Sequence, residues 1–386
     1  MSANRKNPRD RHIQNNDRRK PTVGYFLRKD IDSAIHAGFS HCIRFSGQGK
    51  SGISFFWNKK TPDGCSMTRI LFFLLGTSLL FIGASAAEEI GWKADYRQAV
   101  QSAKESSKNL LIYFYAEVDS PKLLNLSEER FFVQSNGKEI RQVAYNNLPS
   151  TQQPLGIAAA CREFEDGPLA DAEVAEKLND FVLLKLPIDA TTMVDGEERP
   201  LLEEPMFAEM QNLPGLAILD FQHTDEPYYE DIVSAIPFLR ATPITKEQML
   251  TLLDLPTGTL TQRTLIYAVR IHPEKPLSTM GELHPAIVEE ATQHSTYQAK
   301  TGVLGHQNFN ARASRIGQAL GIDGASEVCA QSWPNEGLLE GAIGCVRAWR
   351  SSSGHWRAVR AQHNFYGYDM VRGHNNAWYA TGLFVQ

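Results

Sequence analysis

Apolar positions along this chain fall into two periods, and the switching between them predicts mixed α and β structure. Trp92, Tyr96, Ala99, Val100 and Ala103 recur at helical spacing and end at the polar Ser106–Asn109. The continuous apolar run Leu110–Tyr115 then predicts a buried strand. A helical stretch over Ala172–Leu178 leads into a second strand, Phe181–Leu186. After a loop containing Asp195-Gly196, Leu213-Pro214-Gly215 opens a third strand at Leu216–Phe221, with Tyr228–Ile236 as its partner. Thr245 and Gln248 form a capping box that starts a short helix through Leu253.

Pro256-Thr257-Gly258 marks a linker. Beyond it the spacing predicts a helix from Thr259 through Leu265–Val269, closed by His272-Pro273. A longer helix runs over Leu283–Lys300, with Ile287, Val288, Ala291 and His294 facing one way. A helix over Arg312–Leu320 and a strand over Ala325–Ala330 follow. Leu338, Leu339, Ala342, Ile343, Val346 and Trp349 then trace an amphipathic helix. Ser351–Gly354 reads as a turn that ends this helix and aims His355, beside Trp356. Two aromatic-rich runs, Phe365–Val371 and Ala377–Val385, flank Arg372–Asn376 and predict a hairpin.

Length and charge narrow this picture. A chain of 386 residues has room for two or more domains. Its net charge of -5 points away from nucleic acid as a partner. Five scattered cysteines (Cys42, Cys65, Cys161, Cys329 and Cys345) are too few for a disulfide framework. Residues 1–66 are basic, polar and unpatterned, and read as a disordered or over-extended N-terminus. Met67-Thr68-Arg69, the apolar run Ile70–Ile82 and the small residues Ala84–Ala87 have the grammar of a signal peptide over 67–87. The run is short for a bilayer span, so the mature chain is expected to keep none. The competing reading, a basic cytoplasmic tail before an uncleaved anchor, stays open. With cleavage near Ala86-Ala87, the chain is expected to be secreted or periplasmic.

The region 88–254 resembles the thioredoxin fold. Lys108–Tyr115, Phe181–Asp189 and Pro214, where that fold usually places a cis-proline, carry the resemblance. Ala116–Pro121 holds no Cys-x-x-Cys, and Cys161 alone supports no disulfide exchange, so the expectation is a scaffold without redox chemistry.

Residues 255–386 contain, in order, Ala291-x-x-His294-Ser295, Gly305-His306, Ser326-Glu327-x-x-Ala330 and Trp349-x-x-Ser352-x-Gly354-His355, then a final aromatic strand. This series is similar to the short bacterial branch of the CAP superfamily, the domain of sperm-coating and cysteine-rich secretory proteins. The resemblance implies a three-layer α-β-α sandwich with an antiparallel sheet, and hence an α/β (α+β) chain overall. It also implies a cleft lined by His306, Glu327 and His355, with Ser352 where other branches carry a second glutamate. Ser326-Glu327-Val328 departs from the family's Gly-Glu-Asn.

Two imidazoles and a carboxylate can supply three ligands to a divalent metal such as zinc, or form a hydrogen-bonded cluster in which Glu327 orients an imidazole. Ser352 or Ser353 with His355 and Glu327 offers a nucleophilic alternative. Cys329 and Cys345 could form a disulfide or remain buried thiols. His363 and His374 are expected on solvent-facing loops, and Trp333, Trp349, Trp356 and Trp378 in the core or cleft rim. The expected function is binding of a ligand, such as a lipid or cell-envelope component; the alternative is a metal-assisted hydrolase.

Overall fold

The computed structural model describes residues 91–117, 130–135, 139–144 and 156–386, apart from 195 and 323. The expected signal peptide at 67–87, the stretch before it, and Cys42 and Cys65 lie outside the described residues. All described residues belong to one unit, Ile82–Gln386, in which α and β elements are mixed throughout.

Asp95 caps helix α1 (Tyr96–Ser106) by accepting from the Gln98 N–H, and Ala99 and Ala103 face inward. Strand β1 (Leu110–Tyr115) is buried along nearly its whole length, as its unbroken apolar run requires. An antiparallel hairpin, β2 (Arg130–Ser135) and β3 (Glu139–Ala144), precedes helices α2 (Ile157–Asp166) and α3 (Ala172–Leu178). Strand β4 (Val182–Pro187) then pairs parallel to β1. The loop expected around residue 196 is instead the turn of a second hairpin, β5 (Thr191–Val194) and β6 (Glu197–Pro200). Strands β7 (Gly215–Leu219) and β8 (Ile232–Pro237) complete a sheet of order β4-β1-β7-β8, with β7 antiparallel to both neighbours. Gly215 has φ +146°, and a Cβ there would meet the Ile236 carbonyl oxygen at 2.2 Å, so only glycine fits where this strand begins.

Two capping boxes span the junction to the second lobe. Thr245 with Gln248 opens α4 (Lys246–Leu253), and Thr259 with Gln262 opens α5 (Leu260–Arg270). The short strand β9 (Glu282–Leu283) leads to α6 (Pro285–Thr301), α7 (Phe309–Leu320) and β10 (Ser326–Gln331). Helices α8 (Leu338–Ser351) and α9 (Ser353–Arg360) precede the hairpin β11 (Phe365–Arg372) and β12 (Trp378–Val385). The sheet order is β10-β12-β11-β9, with β12 antiparallel to β10 and β11 and β9 parallel to β11.

Helices cover both faces of this sheet. Ile287 and Ala291 of α6 and Ile316 of α7 pack on Leu383 and Val385. On the other face, Leu338, Ala342, Val346 and Trp349 of α8 meet Val328, Ala330, Tyr368 and Phe384. At Gly367 the sheet and α6 approach so closely that a Cβ would lie 2.6 Å from the Val288 nitrogen. The same apolar cluster continues into the first lobe through Leu265, Phe238, Ile218 and Leu111, which joins the lobes through one core. Each such large side chain contributes about 1.5–3 kcal/mol on burial. Among the described residues no helix is long and apolar enough to cross a membrane.

Candidate functional site

The period-two alternation of β10 sorts its side chains between the two faces of the sheet. Val328 and Ala330 join α8 in the core, whereas Glu327 and Cys329 point toward α6, α7 and the loop between them. Glu327 is the centre of this second group, with a side chain only 1% exposed. Arg312 of α7 donates from Nε to Glu327 Oε2 at 2.7 Å. Its Nη2 lies 2.6 Å from the same oxygen, an ion-pair contact without hydrogen-bond alignment. The other oxygen, Oε1, accepts from His306 Nδ1 at 2.8 Å.

That bond decides what His306 presents. A carboxylate can only accept, so Nδ1 carries the proton and the neutral ring keeps its lone pair on Nε2. Nε2 lies on the opposite edge of the ring, 3.4 Å from His355 Nε2. The His306 side chain is 47% exposed, so this edge meets solvent. His355 is the third residue of α9, where burial, and then the neighbouring His306 ring, hold its pKa below the usual imidazole value.

The expected turn over Ser351–Gly354 is a single-residue break between two helices. Ser352 alone leaves helical geometry, its N–H donating to the Trp349 carbonyl and its own carbonyl accepting from the Trp356 N–H. No hydrogen bond joins Ser352 or Ser353 to His355 among the described residues, so the geometry provides no activated hydroxyl. Glu327, His306 and His355 are brought together as a line, carboxylate to imidazole to imidazole, instead of converging on one point. Both Glu327 oxygens are already engaged, which makes it a buttress for His306 and not a third ligand.

One residue of the site escapes a reading of the sequence, and a second, His294, is legible there only as part of a motif and an inward stripe. Arg312 carries no motif, since an arginine on an amphipathic helix reads as its solvated face; here it is 5% exposed. His294 reads as part of the inward stripe of α6 without a role. Its Nε2 lies 2.8 Å from the Gly305 carbonyl oxygen and so must be the donor, which fixes the backbone just before His306. Burial holds the His294 pKa below the usual value.

His294, Glu327 and Cys329 bring potential ligand atoms within 4.8 Å of one another. Two of the three are already engaged: His294 Nε2 on the Gly305 carbonyl, and Glu327 on Arg312 and His306. Burial pushes the Cys329 thiol pKa up.

The possible Cys329–Cys345 bridge is not formed. Both are free buried thiols, because Cys329 faces α6 and α7 while Cys345 packs with Val328 and Ala330 on the opposite face of the sheet. His363 is also not on a solvent-facing loop. It is buried, 2.8 Å from the Ala358 carbonyl oxygen and stacked on Phe384, whereas His374 is exposed as expected. Trp349, Trp356 and Trp378 are buried, but Trp333 is 78% exposed.

Fold and site thus define an α+β protein whose second lobe presents a carboxylate-buttressed pair of imidazoles. No family model matches the chain, and no curated protein matches it. A solved structure, that of an outer surface protein from Borrelia burgdorferi, is 17% identical over 27% of this chain and 75% of its own, with a TM-score of 0.23.

Proposed function

We propose that this chain is a secreted protein with a thioredoxin-like first lobe and a CAP-like second lobe. Its His306–His355 cleft binds a ligand together with a divalent ion such as zinc. The observation that carries the reading is the pair of Nε2 atoms 3.4 Å apart, with His306 oriented by Glu327. Two nitrogens bound to zinc at about 2.0–2.1 Å in a tetrahedron stand roughly 3.3–3.4 Å apart. A carboxylate on the far nitrogen is the outer partner that metal-binding histidines usually have. His306 and His355 would supply two nitrogen ligands, and the remaining positions would fall to the bound ligand and water. When bound, the ion supplies a Lewis-acidic position open to a ligand.

Support for the architecture comes from topology and motif order. In the first lobe the sheet order β4-β1-β7-β8, with β7 reversed, agrees with the thioredoxin-like reading. In the second lobe, helices on both faces of a largely antiparallel sheet agree with the CAP-like one. Secretion is supported by the signal-peptide grammar of residues 67–87. The ligand implied is a lipid or cell-envelope component.

A hydrolase is the second reading, and the Glu327–His306 pair favours it, because a carboxylate-oriented imidazole is also the arrangement of a general base. Binding is preferred because no serine hydroxyl is engaged by either imidazole among the described residues, and the Cys329 thiol, 3.7 Å from His306 Nδ1, is buried with its pKa raised. Equilibrium dialysis against zinc, followed by metal analysis, tests the proposal on the wild type and on His306→Ala, His355→Ala and Glu327→Gln. The expected result is one ion per chain, lost in both alanine variants and about 10–100-fold weaker in Glu327→Gln. Retention of the ion by both alanine variants overturns the site. Metal-dependent hydrolysis of peptide or envelope substrates, lost in both, overturns the binding-only reading.

A further inference from the structure

A second place in the molecule carries unspent chemistry. Where the linker and α5 meet the first sheet, a cavity of about 340 Å³ is lined by Lys108, Asn109, Asp220, His223, Thr257 and Arg263, among others. Its size is at the lower end of small-molecule sites, and junctions between lobes are common locations for them.

Arg263 is the unusual member. It is 7% exposed, yet among the described residues no carboxylate lies within ion-pair reach of it. Its Nε donates to the Val233 carbonyl and the Ser234 hydroxyl, and Nη1 to the carbonyls of Leu255 and Pro256. All of these acceptors are neutral, and Nη2 makes no hydrogen bond among the described residues. Buried cations are normally paired, so one held only by neutral acceptors beside a cavity has a place for an anion. Burial pulls its pKa down to about 10, which leaves the charge in place at neutral pH.

Asp180 also lines the cavity, and Asp220, whose charge favours that of Arg263, lies outside ion-pair reach of it. Asp220 is buried, and its oxygens accept from the N–H groups of Gln222 and His223 and from His223 Nδ1 at 2.6 Å. This fixes the proton on Nδ1 and leaves His223 Nε2 unbonded among the described residues. Asn109 Oδ1 accepts from the Phe221 N–H, so its remaining offer to the cavity is the donor NH2 group. Lys108 also lines the cavity, with its Nζ donating to the Asn179 carbonyl oxygen at 2.7 Å.

We propose that this cavity binds a small polar molecule carrying one anionic group, a carboxylate or a phosphate ester, whose charge is met by Arg263, with the Asn109 amide as a further donor. The proposal is independent of the His306–His355 cleft.

The test is an NMR titration of the full chain with inorganic phosphate and, separately, acetate, following the Arg263 Nε–H and the His223 ring. Saturable shifts of both reporters with either probe are expected, and the probe that saturates identifies the group recognised. Arg263→Lys should weaken binding by at least about tenfold, because one compact ammonium replaces the guanidinium fork. Asn109→Asp keeps an acceptor for the Phe221 N–H and removes the donor NH2; it should fold and weaken binding several-fold. Shifts that never saturate with either probe overturn the proposal. So does an unchanged affinity in folded Asn109→Asp together with an unchanged one in Arg263→Lys.

Discussion

Two buried arginines, one at the junction of the lobes and one in the polar centre of the second, meet opposite fates. Arg312 is held by Glu327, which in turn holds His306, so charge, countercharge and imidazole form a closed unit. Arg263 is held by carbonyls and a hydroxyl, and its neighbouring carboxylate, Asp220, is spent on His223. A paired buried charge is a positioning device: it costs desolvation but sets the tautomer and direction of the ring it touches. A buried cation among neutral acceptors has satisfied most of its donors without an ion-pair contact, and Asp220 acts on it only from beyond that reach. The first arrangement aims an imidazole outward, and the second leaves a cavity attractive to anions.

The contrast can be broken by removing each arginine. Arg312→Met strands the buried Glu327 carboxylate and is expected to cost about 3–5 kcal/mol in urea unfolding. Arg263→Met leaves only neutral acceptors behind and should cost less, about 1–3 kcal/mol. Equal costs would contradict the distinction between paired and unpaired charge.

Acid sharpens it next. His294 and His355 are both held below the usual imidazole pKa, each chiefly by burial. Each therefore binds fewer protons folded than unfolded, so this contribution to stability is fully present above an unfolded pKa of about 6.5. It declines as the pH falls from there through the folded values. A ring titration by NMR should place both midpoints below about 6.5; a midpoint above that value for His294 would undercut its role as a buried neutral donor to Gly305.

Smaller effects check the joint between the lobes. Thr245→Ala and Thr259→Ala each remove a capping-box hydroxyl and should cost about 1 kcal/mol by denaturant midpoint. The exposed Lys104–Glu230 pair should be worth about 0.2–1 kcal/mol in a double-mutant cycle and fade with added salt.

Much of this structure is legible in the order of residues. Leu110–Tyr115, Ala172–Leu178 and the Thr245 helix are found where apolar period and capping chemistry place them, because local preference and tertiary packing agree there. Helix α2 and the hairpin at residue 196 escape that reading, as short elements whose patterns are weak without their neighbours. The opposite facing of Cys329 and Cys345 is readable in principle. Val328 and Ala330 mark the α8 face of β10, and position parity puts Cys329 on the other. Arg312 is not readable, since its partner is fifteen residues away on another element and no spacing rule links them. His306 and His355 are legible as candidates, but their tautomer and line-wise order depend on Glu327 being already saturated.

The central claim is that Glu327 holds the proton of His306 on Nδ1, so that His306 and His355 present their Nε2 atoms to one ion. Long-range 1H–15N correlation of the imidazole nitrogens, recorded on the full chain before and during a zinc titration, tests it directly. The account predicts a His306 ring protonated on Nδ1 before zinc, then shifts at both Nε2 atoms that saturate together while His294 stays unchanged. A His306 proton on Nε2, or zinc shifts confined to His294, would contradict it.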